Sequence, residues 1–248
     1  GRQLAVVHTS GDATVWDWAA TNRIVTFTAA DGAVGGVAFH PGGKTFAVVR
    51  RAGPVELRGL AGRLLDAWPV TNSLAARFSP DGGRIAIVAE NLVEVWTVNP
   101  RERLWTAPLA LPVHRVEWNA AGTTLLVASR YQNALYVLDA VGGLVLAHHA
   151  AHSLDPARFT FHPSGELVAS VGREGTLRLW DVRTGRDLVV LAATVEALHW
   201  SPDGRRLAYA PSLIELGTLA LVSGDCFEAF EDAARTAIVP DDLLVTPD

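Results

Sequence analysis

The chain has 248 residues, of which 49% are hydrophobic and 19% charged, so the composition favours a packed globular protein over a disordered one. The net charge of −5 argues against a nucleic-acid partner, and the sequence has no basic run that could follow a phosphate backbone. The single cysteine, Cys226, excludes an intrachain disulfide and a cysteine zinc site, and no apolar run has the length of a membrane helix.

Two short patterns repeat along the chain. An aromatic residue followed by spacers and a glycine turn recurs every 39 to 43 residues, at Phe39, Phe78, Trp118, Phe161 and Trp200. Segments in which apolar and polar residues alternate recur with a similar step, and they end near Trp16, Leu57, Trp96, Leu138, Trp180 and Val222. Strand-like runs bounded by Gly, Pro, Asn and Asp lie between these positions. The repeat predicts units of four short strands that must stack on neighbours to bury both faces.

The residues at these repeat positions resemble the WD-repeat family of β-propellers along the whole chain. A Trp-Asp pair ends the predicted third strand at Trp16-Asp17 and Trp180-Asp181, and the turn "SPDG" follows Phe78 and Trp200. The resemblance implies an all-β fold, a β-propeller of four-stranded antiparallel blades, and the six equal repeat units predict a six-bladed β-propeller.

The two ends of the sequence complete each other. "LLVTPD" at 243–248 joined to "GRQLAVV" at 1–7 matches "LHWSPDGRRLAYA" at 198–210. We therefore expect one domain, 1–248, in which an inner strand from about 241–248 pairs with the blade formed by 1–30 and closes the ring. The alternative is a slice of a longer propeller, since members of the family most often have seven blades. In both cases we expect a monomer or part of a larger polypeptide.

The fifth unit matches the family pattern best, with His152, Ser170 and Trp180. In the family, His, Ser or Thr, Asp and Trp form a hydrogen-bond chain that holds a blade together. Glu174 stands where the aspartate is expected, which leaves the last link of that chain open. The position of the histidine is occupied in other units by Ala30, Pro69, Leu109 and Leu191. Those blades are expected to rely on apolar packing between sheets.

Catalytic and metal-binding patterns are weak. His148, His149 and His152 could suggest a metal site, but a strand places the first two on opposite faces, so we interpret them as surface and structural histidines. No Gly-x-Ser-x-Gly elbow is present. The sequence thus predicts no enzyme and no cofactor. The segment 227–235 could form a helix or the outer strand of the sixth unit.

A partner surface is predicted on the loops between second and third strands. Twelve residues after each repeat aromatic these loops carry Arg51, Glu90, Arg130, Arg173 and Ser212, with Thr9 in the sixth place. Neighbouring residues extend the patch, namely Arg50, Tyr131, His114, Arg115 and Glu196. Arginine and tyrosine are favoured at protein interfaces, and arginine suits an acidic or phosphorylated segment of a partner protein.

Three other interpretations stay open at this point. The arginines could simply solvate the loop tips, as charged residues usually do. A propeller enzyme or small-ligand binder could use a central channel lined by Glu196 and His114, and a spacer between fused domains would need no partner. One lysine, Lys44, among 21 basic residues suggests a GC-rich bacterial genome, and one cysteine fits the reducing cytoplasm.

Overall fold

A computed structural model of the protein describes residues 3–110, 112–129, 133–150, 152–154, 156–193, 195, 197–210, 216–223, 226–232 and 244–245. In these residues the regular structure is β-sheet apart from one 3-10 turn at Ala29–Asp31. The strands form six four-stranded sheets, numbered 1 to 6 in chain order, with antiparallel pairing between neighbours. The predicted all-β fold with repeated four-stranded antiparallel units, the pattern of a propeller, is confirmed. None of the described segments forms a helix that could span a bilayer.

The four strands of each sheet are called first to fourth in the order given. Sheet 1 contains β24 (Leu244–Val245), β1 (Gln3–Val7), β2 (Ala13–Asp17) and β3 (Asn22–Phe27). Sheet 2 contains β4 (Val34–Phe39), β5 (Thr45–Arg50), β6 (Val55–Gly59) and β7 (Leu64–Trp68). Sheet 3 contains β8 (Ser73–Phe78), β9 (Arg84–Ala89), β10 (Leu92–Thr97) and β11 (Arg103–Pro108).

The remaining strands repeat this order. Sheet 4 contains β12 (Val113–Trp118), β13 (Thr124–Ser129), β14 (Leu135–Asp139) and β15 (Val145–His149). Sheet 5 contains β16 (Pro156–Phe161), β17 (Leu167–Gly172), β18 (Thr176–Asp181) and β19 (Asp187–Ala192). Sheet 6 contains β20 (Ala197–Trp200), β21 (Arg206–Ala210), β22 (Leu216–Ser223) and β23 (Cys226–Asp232). Within the segment 227–235 that could have been a helix, residues up to 232 are therefore strand β23, and 233–235 lie outside the described residues.

The residues group into two compact units. The first comprises Gly1–Val116, Val141–Gly143 and Asp241–Asp248, and the second comprises Glu117–Ala140 and Leu144–Pro240. The single domain over 1–248 stays a prediction.

The C-terminal strand β24 supplies the first strand of sheet 1. Leu4 lies opposite Val245, and Ala5 lies opposite Leu244. Closure of the six sheets into a ring stays a prediction. The predicted turn between the chain ends at 248 and 1 lies outside the described residues.

Strand β5 shows why each sheet needs neighbours. Phe46 and Val48 pack in an apolar cluster with residues of sheet 1, whereas Ala47 and Val49 pack in a second cluster with residues of sheet 3. Successive side chains of a strand point to opposite faces, so a continuous apolar run requires apolar cover on both. The side chains of β17 in sheet 5 pack in the same alternating way, in one cluster with residues of sheet 4 and in another with residues of sheet 6.

The turn after the first strand of sheet 2 also contacts the neighbouring sheet. His40 Nδ1 accepts a hydrogen bond of 2.9 Å from the Gly42 N–H, so Nε2 carries the proton and donates to the Gly82 carbonyl at 3.0 Å. The His40 ring also lies edge-on to Phe78, with 5.1 Å between ring centroids. The residue after the repeat aromatic therefore links sheet 2 to sheet 3.

Sheet 5 uses the same contact toward sheet 6. His162 Nδ1 accepts from the Ser164 N–H at 3.1 Å, and Nε2 donates to the Gly204 carbonyl at 2.9 Å. Its ring lies edge-on to Trp200 at 4.7 Å. The sequence interpretation treated "FHP" and "FSPDG" only as turn signals, and it missed that an "HP" turn and the following "SPDG" turn bind each other.

The turn glycines in these contacts have two separate reasons to be glycine. Gly82 and Gly204 have φ angles of +71° and +72°, which L-residues with a side chain rarely adopt. A Cβ on Gly82 would lie 2.4 Å from His40 Nε2. Gly43 has a similar φ of +66°, but no atom lies within 4 Å of the place of its Cβ.

We expect Gly82→Ala to destabilise the protein more than Gly43→Ala. Gly43→Ala should cost about 1 kcal/mol, because it forces alanine into the left-handed region. Gly82→Ala should cost about 1 to 3 kcal/mol more, because it also displaces His40 from its hydrogen bond. Urea denaturation of the two variants measures the difference.

The double variant His40→Ala/Gly82→Ala is the control for the steric part. Removing the ring leaves room for the new methyl group, so the double variant should lose less stability than the two single losses added together. Equal losses in Gly82→Ala and Gly43→Ala would show that the contact with His40 contributes nothing.

Candidate functional site

A buried hydrogen-bond chain runs through sheet 5. His152 Nε2 lies 2.8 Å from Ser170 Oγ, and the indole Nε1 of Trp180 donates to the same oxygen at 3.2 Å. His152 Nδ1 lies 2.6 Å from Glu174 Oε1. Burial lowers the pKa of His152 against the raising effect of Glu174, so the ring is neutral. Its Nδ1–H then donates to Glu174, and its Nε2 accepts from the Ser170 hydroxyl.

Glu174 completes the link that the sequence left open. Its Oε1 accepts from the Thr176 hydroxyl at 2.5 Å, and its Oε2 accepts from the Leu154 N–H at 3.2 Å. Burial raises the pKa of the Glu174 carboxyl, but the hydrogen bonds from Thr176 and His152 outweigh it, so the pKa lies below its ordinary value. One carboxylate therefore ties the loop between β17 and β18 to the loop that enters β16.

His149, at the end of β15 in sheet 4, is buried against sheet 5, which corrects its interpretation as a surface residue. Its ring stacks on Trp180 with centroids 4.5 Å apart and an interplanar angle of 4°. Its Nε2 lies 2.8 Å from Asp187 Oδ1, and Arg178 Nη1 donates to Asp187 Oδ2 at 2.5 Å. His148 is exposed beside Tyr136 on the other face of β15. The adjacent histidines do face opposite ways.

Sheet 2 holds its loop with arginine instead of histidine. Arg50 Nη1 donates to the Gly32 carbonyl at 2.5 Å, and its Nε donates to Glu56 Oε1 at 3.1 Å. Arg58 Nε donates to Glu56 Oε2 at 2.8 Å, and both guanidinium groups lie over the Phe27 ring. Burial raises the pKa of Glu56, but hydrogen bonds from Arg58 and Arg50 bring it below the ordinary value. Arg50 was predicted in the partner patch, but it is only 6% exposed and serves the interior.

Sheets 1 and 3 also retain polar links, so the expectation that such sheets rely on apolar packing was incomplete. The Trp16 indole donates to Thr14 Oγ1 at 3.1 Å, and the Trp96 indole donates to Glu94 Oε2 at 2.8 Å. In both sheets the partner lies two residues earlier on the same strand, where side chains share a face. This i−2 spacing is visible in the sequence and could have predicted the bonds.

The predicted loop arginines Arg51 and Arg173 are exposed. Arg51 follows β5, and its N–H donates to the Ala33 carbonyl at 2.9 Å. Arg173 directly precedes Glu174, so the carboxylate that binds His152 fixes the backbone next to it. Both tips therefore project a cation from a loop that internal hydrogen bonds hold in place.

The other predicted patch residues are less informative. His114 and Arg115 are half-buried neighbours on β12, so their side chains leave opposite faces of the strand and do not share one surface. Arg130, Tyr131 and Glu196 lie outside the described residues. Across the described part of the chain, no cluster of three or more His, Cys, Asp or Glu side chains could hold a metal ion.

The stretch from β15 to β18 is similar to a known repeat. The family model "WD domain, G-beta repeat" matches residues 144–181, from the fourth strand of sheet 4 through Trp180-Asp181. This stretch contains His152, Ser170 and Trp180, the core of the hydrogen-bond chain. Residues 144–181 of the chain are therefore similar to a WD repeat.

Curated relatives match this chain over short stretches. A zebrafish (Danio rerio) protein described as p21-activated protein kinase-interacting protein 1-like is 38% identical over 60 residues, 23% of this chain and 16% of that protein. Its Xenopus laevis counterpart is 36% identical over 58 residues, with the same coverage. A Chlamydomonas reinhardtii protein described as ribosome biogenesis protein BOP1 homolog is 41% identical over 78 residues, 30% of this chain and 10% of that protein. The match thus spans less than a fifth of each relative.

Replacing Ser170 should disrupt the buried chain at its centre. Ser170→Ala removes the acceptor of the Trp180 indole and the hydroxyl partner of His152, and it leaves two buried polar groups without that oxygen. We expect a loss of about 1 to 3 kcal/mol in the free energy of unfolding. Ser153→Ala is the matched control, because Ser153 is exposed, and it should change stability by less than about 0.5 kcal/mol. Equal stability of the two variants would contradict a structural role for the chain.

The pH dependence of stability should report the two buried histidines. Burial lowers the pKa of His149 and of His152 below the ordinary value of 6.5. Between 6.5 and the lower folded pKa the unfolded chain binds more protons, so this stability is complete above about pH 6.5 and declines as the pH falls. The slope is at most about 1.4 kcal/mol per pH unit for each histidine.

Urea denaturation at pH 7.5 and 5.5 would measure how much the free energy of unfolding falls with pH, in the original protein and in two variants. His149→Phe keeps a ring on Trp180 and removes one titrating group, so its stability should fall less between the two pH values. His148→Phe, at the neighbouring exposed position, should keep the full decline. A decline in His149→Phe as large as in the original protein would refute the assignment.

Proposed function

We propose that this chain is a non-catalytic WD-repeat scaffold that binds protein partners through the loops between second and third strands. The observation that supports it is that two of these loops, one in each compact unit, carry an exposed arginine, Arg51 or Arg173, and are held from inside by Arg50 and Glu174. Prepositioned loops lose little conformational entropy on binding, which favours affinity. The chain then contributes a rigid support with specific side chains on it, as loops commonly do on a stable scaffold.

The partner class we propose is an acidic or phosphorylated segment of another protein. An exposed guanidinium offers several donors in one plane and forms paired hydrogen bonds with carboxylate or phosphate oxygens. The match of residues 144–181 to a WD repeat supports a protein partner, and so does the description of one relative as a kinase-interacting protein, a term that applies to that relative. We further propose a cytoplasmic location, in keeping with the single cysteine.

Charge reversal at each tip tests the proposal, with a control from the same sheet. Arg173→Glu is compared with Arg183→Glu, which lies in the turn at the other end of β18. Arg51→Glu is compared with Arg63→Glu, in the turn at the other end of β6. All four side chains are exposed, so stability should hardly change.

Binding would be measured against immobilised peptides that are glutamate-rich, phosphoserine-containing or lysine-rich. The tip variants should bind the acidic and phosphorylated peptides at least about tenfold more weakly, whereas the turn variants should bind as the original protein does. Binding by the original protein should weaken as salt is added. Unchanged binding by both tip variants would refute the proposed surface.

A further inference from the structure

The fourth strand of sheet 4, β15, is an apolar and exposed sheet edge. It pairs with β14 on one side, and within the described residues no strand lies on its other side. Leu144, directly before the strand, is 70% exposed, and Val145 and Leu146 are 50% and 56% exposed. An edge strand presents unpaired backbone donors and acceptors, so an exposed apolar edge is a template for another strand.

The corresponding strands of the other sheets contain charged residues. A charged residue lies within each of the other fourth strands, namely Arg23 in β3, Asp66 in β7, Arg103 in β11, Asp187 in β19 and Glu228 in β23. In contrast, the stretch 140–150 around β15 contains no Asp, Glu, Lys or Arg. Charged side chains on edges discourage pairing with other chains, and β15 lacks this protection.

We propose that β15 is a self-association surface, on which β15 of a second copy of this chain pairs in antiparallel orientation. A twofold axis makes such an interface isologous, so the same strand must complement itself. Self-pairing of a charged edge can place like charges opposite each other, which is unfavourable. A register centred on Leu146 places Leu144 opposite His148 and Val145 opposite Ala147, so none of the pairs joins two charges of one sign.

The absence of charged residues from β15 also favours a second copy over the acidic partner proposed for the loop arginines. Strand β15 carries no arginine or lysine that could bind a carboxylate or a phosphate, whereas an apolar uncharged strand fits it. The inference does not depend on the proposed function. It also replaces the expectation of a monomer.

The proposed interface should respond to salt in the opposite way to the arginine tips. Each copy carries a net charge of −5, so two copies repel each other, and added salt screens that repulsion. One pair of short strands is a small interface, and we expect weak association with a dissociation constant of roughly 10 to 100 µM.

Sedimentation equilibrium over concentrations up to roughly 500 µM, at low and high salt, tests the proposal on the chain as it stands. Leu146→Lys should weaken the dimer at least about tenfold, because it buries a lysine without a partner. Leu65→Lys is the matched control, since Leu65 is the second residue of β7 and is 50% exposed. It should leave the dimer unchanged. Unaltered thermal unfolding of both variants would show that they fold.

Every outcome bears on the proposal. A dimer that Leu146→Lys dissociates and Leu65→Lys does not would support it, as would amide protection of β15 that grows with concentration. A monomer at all concentrations would overturn it and leave the edge for another apolar strand. A dimer that neither variant affects, or that both affect equally, would place the interface elsewhere.

Discussion

Burial on both faces of the second strand constrains this molecule more than any other feature. In β5 the side chains of Phe46 and Ala47 enter different apolar clusters, one with sheet 1 and one with sheet 3. A sheet of four short strands that is apolar on both faces cannot be stable in water by itself, so consecutive repeats must stack. Stacking of neighbouring sheets covers both faces of each sheet. Loops, turns and fourth strands are then the parts left for binding.

Sheets 2 and 5 hold the equivalent loop, the one between the second and third strands, by different hydrogen bonds. In sheet 5 a carboxylate, Glu174, joins the loop to the neutral His152, which in turn binds the buried Ser170. In sheet 2 a guanidinium, Arg50, joins the loop to a backbone carbonyl and to Glu56. The half-buried Glu174 accepts hydrogen bonds from His152, Thr176 and the Leu154 N–H, and the buried Arg50 has a partner of opposite charge in Glu56, as burial requires. In both sheets, hydrogen bonds from inside the protein hold the loop between the second and third strands in place.

Sequence reasoning predicted the parts of the fold that repeat and missed the contacts that vary. The spacing of aromatic residues and turns gave the four-stranded units, because the same strands and turns recur in each. The family pattern also gave His152, Ser170 and Trp180. It could not place Arg50, because an arginine before a loop fits solvent as well as a buried ion pair. His149 was missed for a related reason, since the two-residue strand period says which face it occupies but not that Trp180 and Asp187 cover that face.

The spacing of contacts between sheets explains how the repeats can differ so much. The bonds from His40 to Gly82 and from His162 to Gly204 each join residues 42 positions apart, which is one repeat. A sheet therefore has to match only its immediate neighbours, and stability is close to a sum of local terms. One unit can then replace a histidine network by an arginine pair without consequences two sheets away. The same locality allows a single sheet to carry an uncharged edge such as β15 while the corresponding strands of the others contain charged residues.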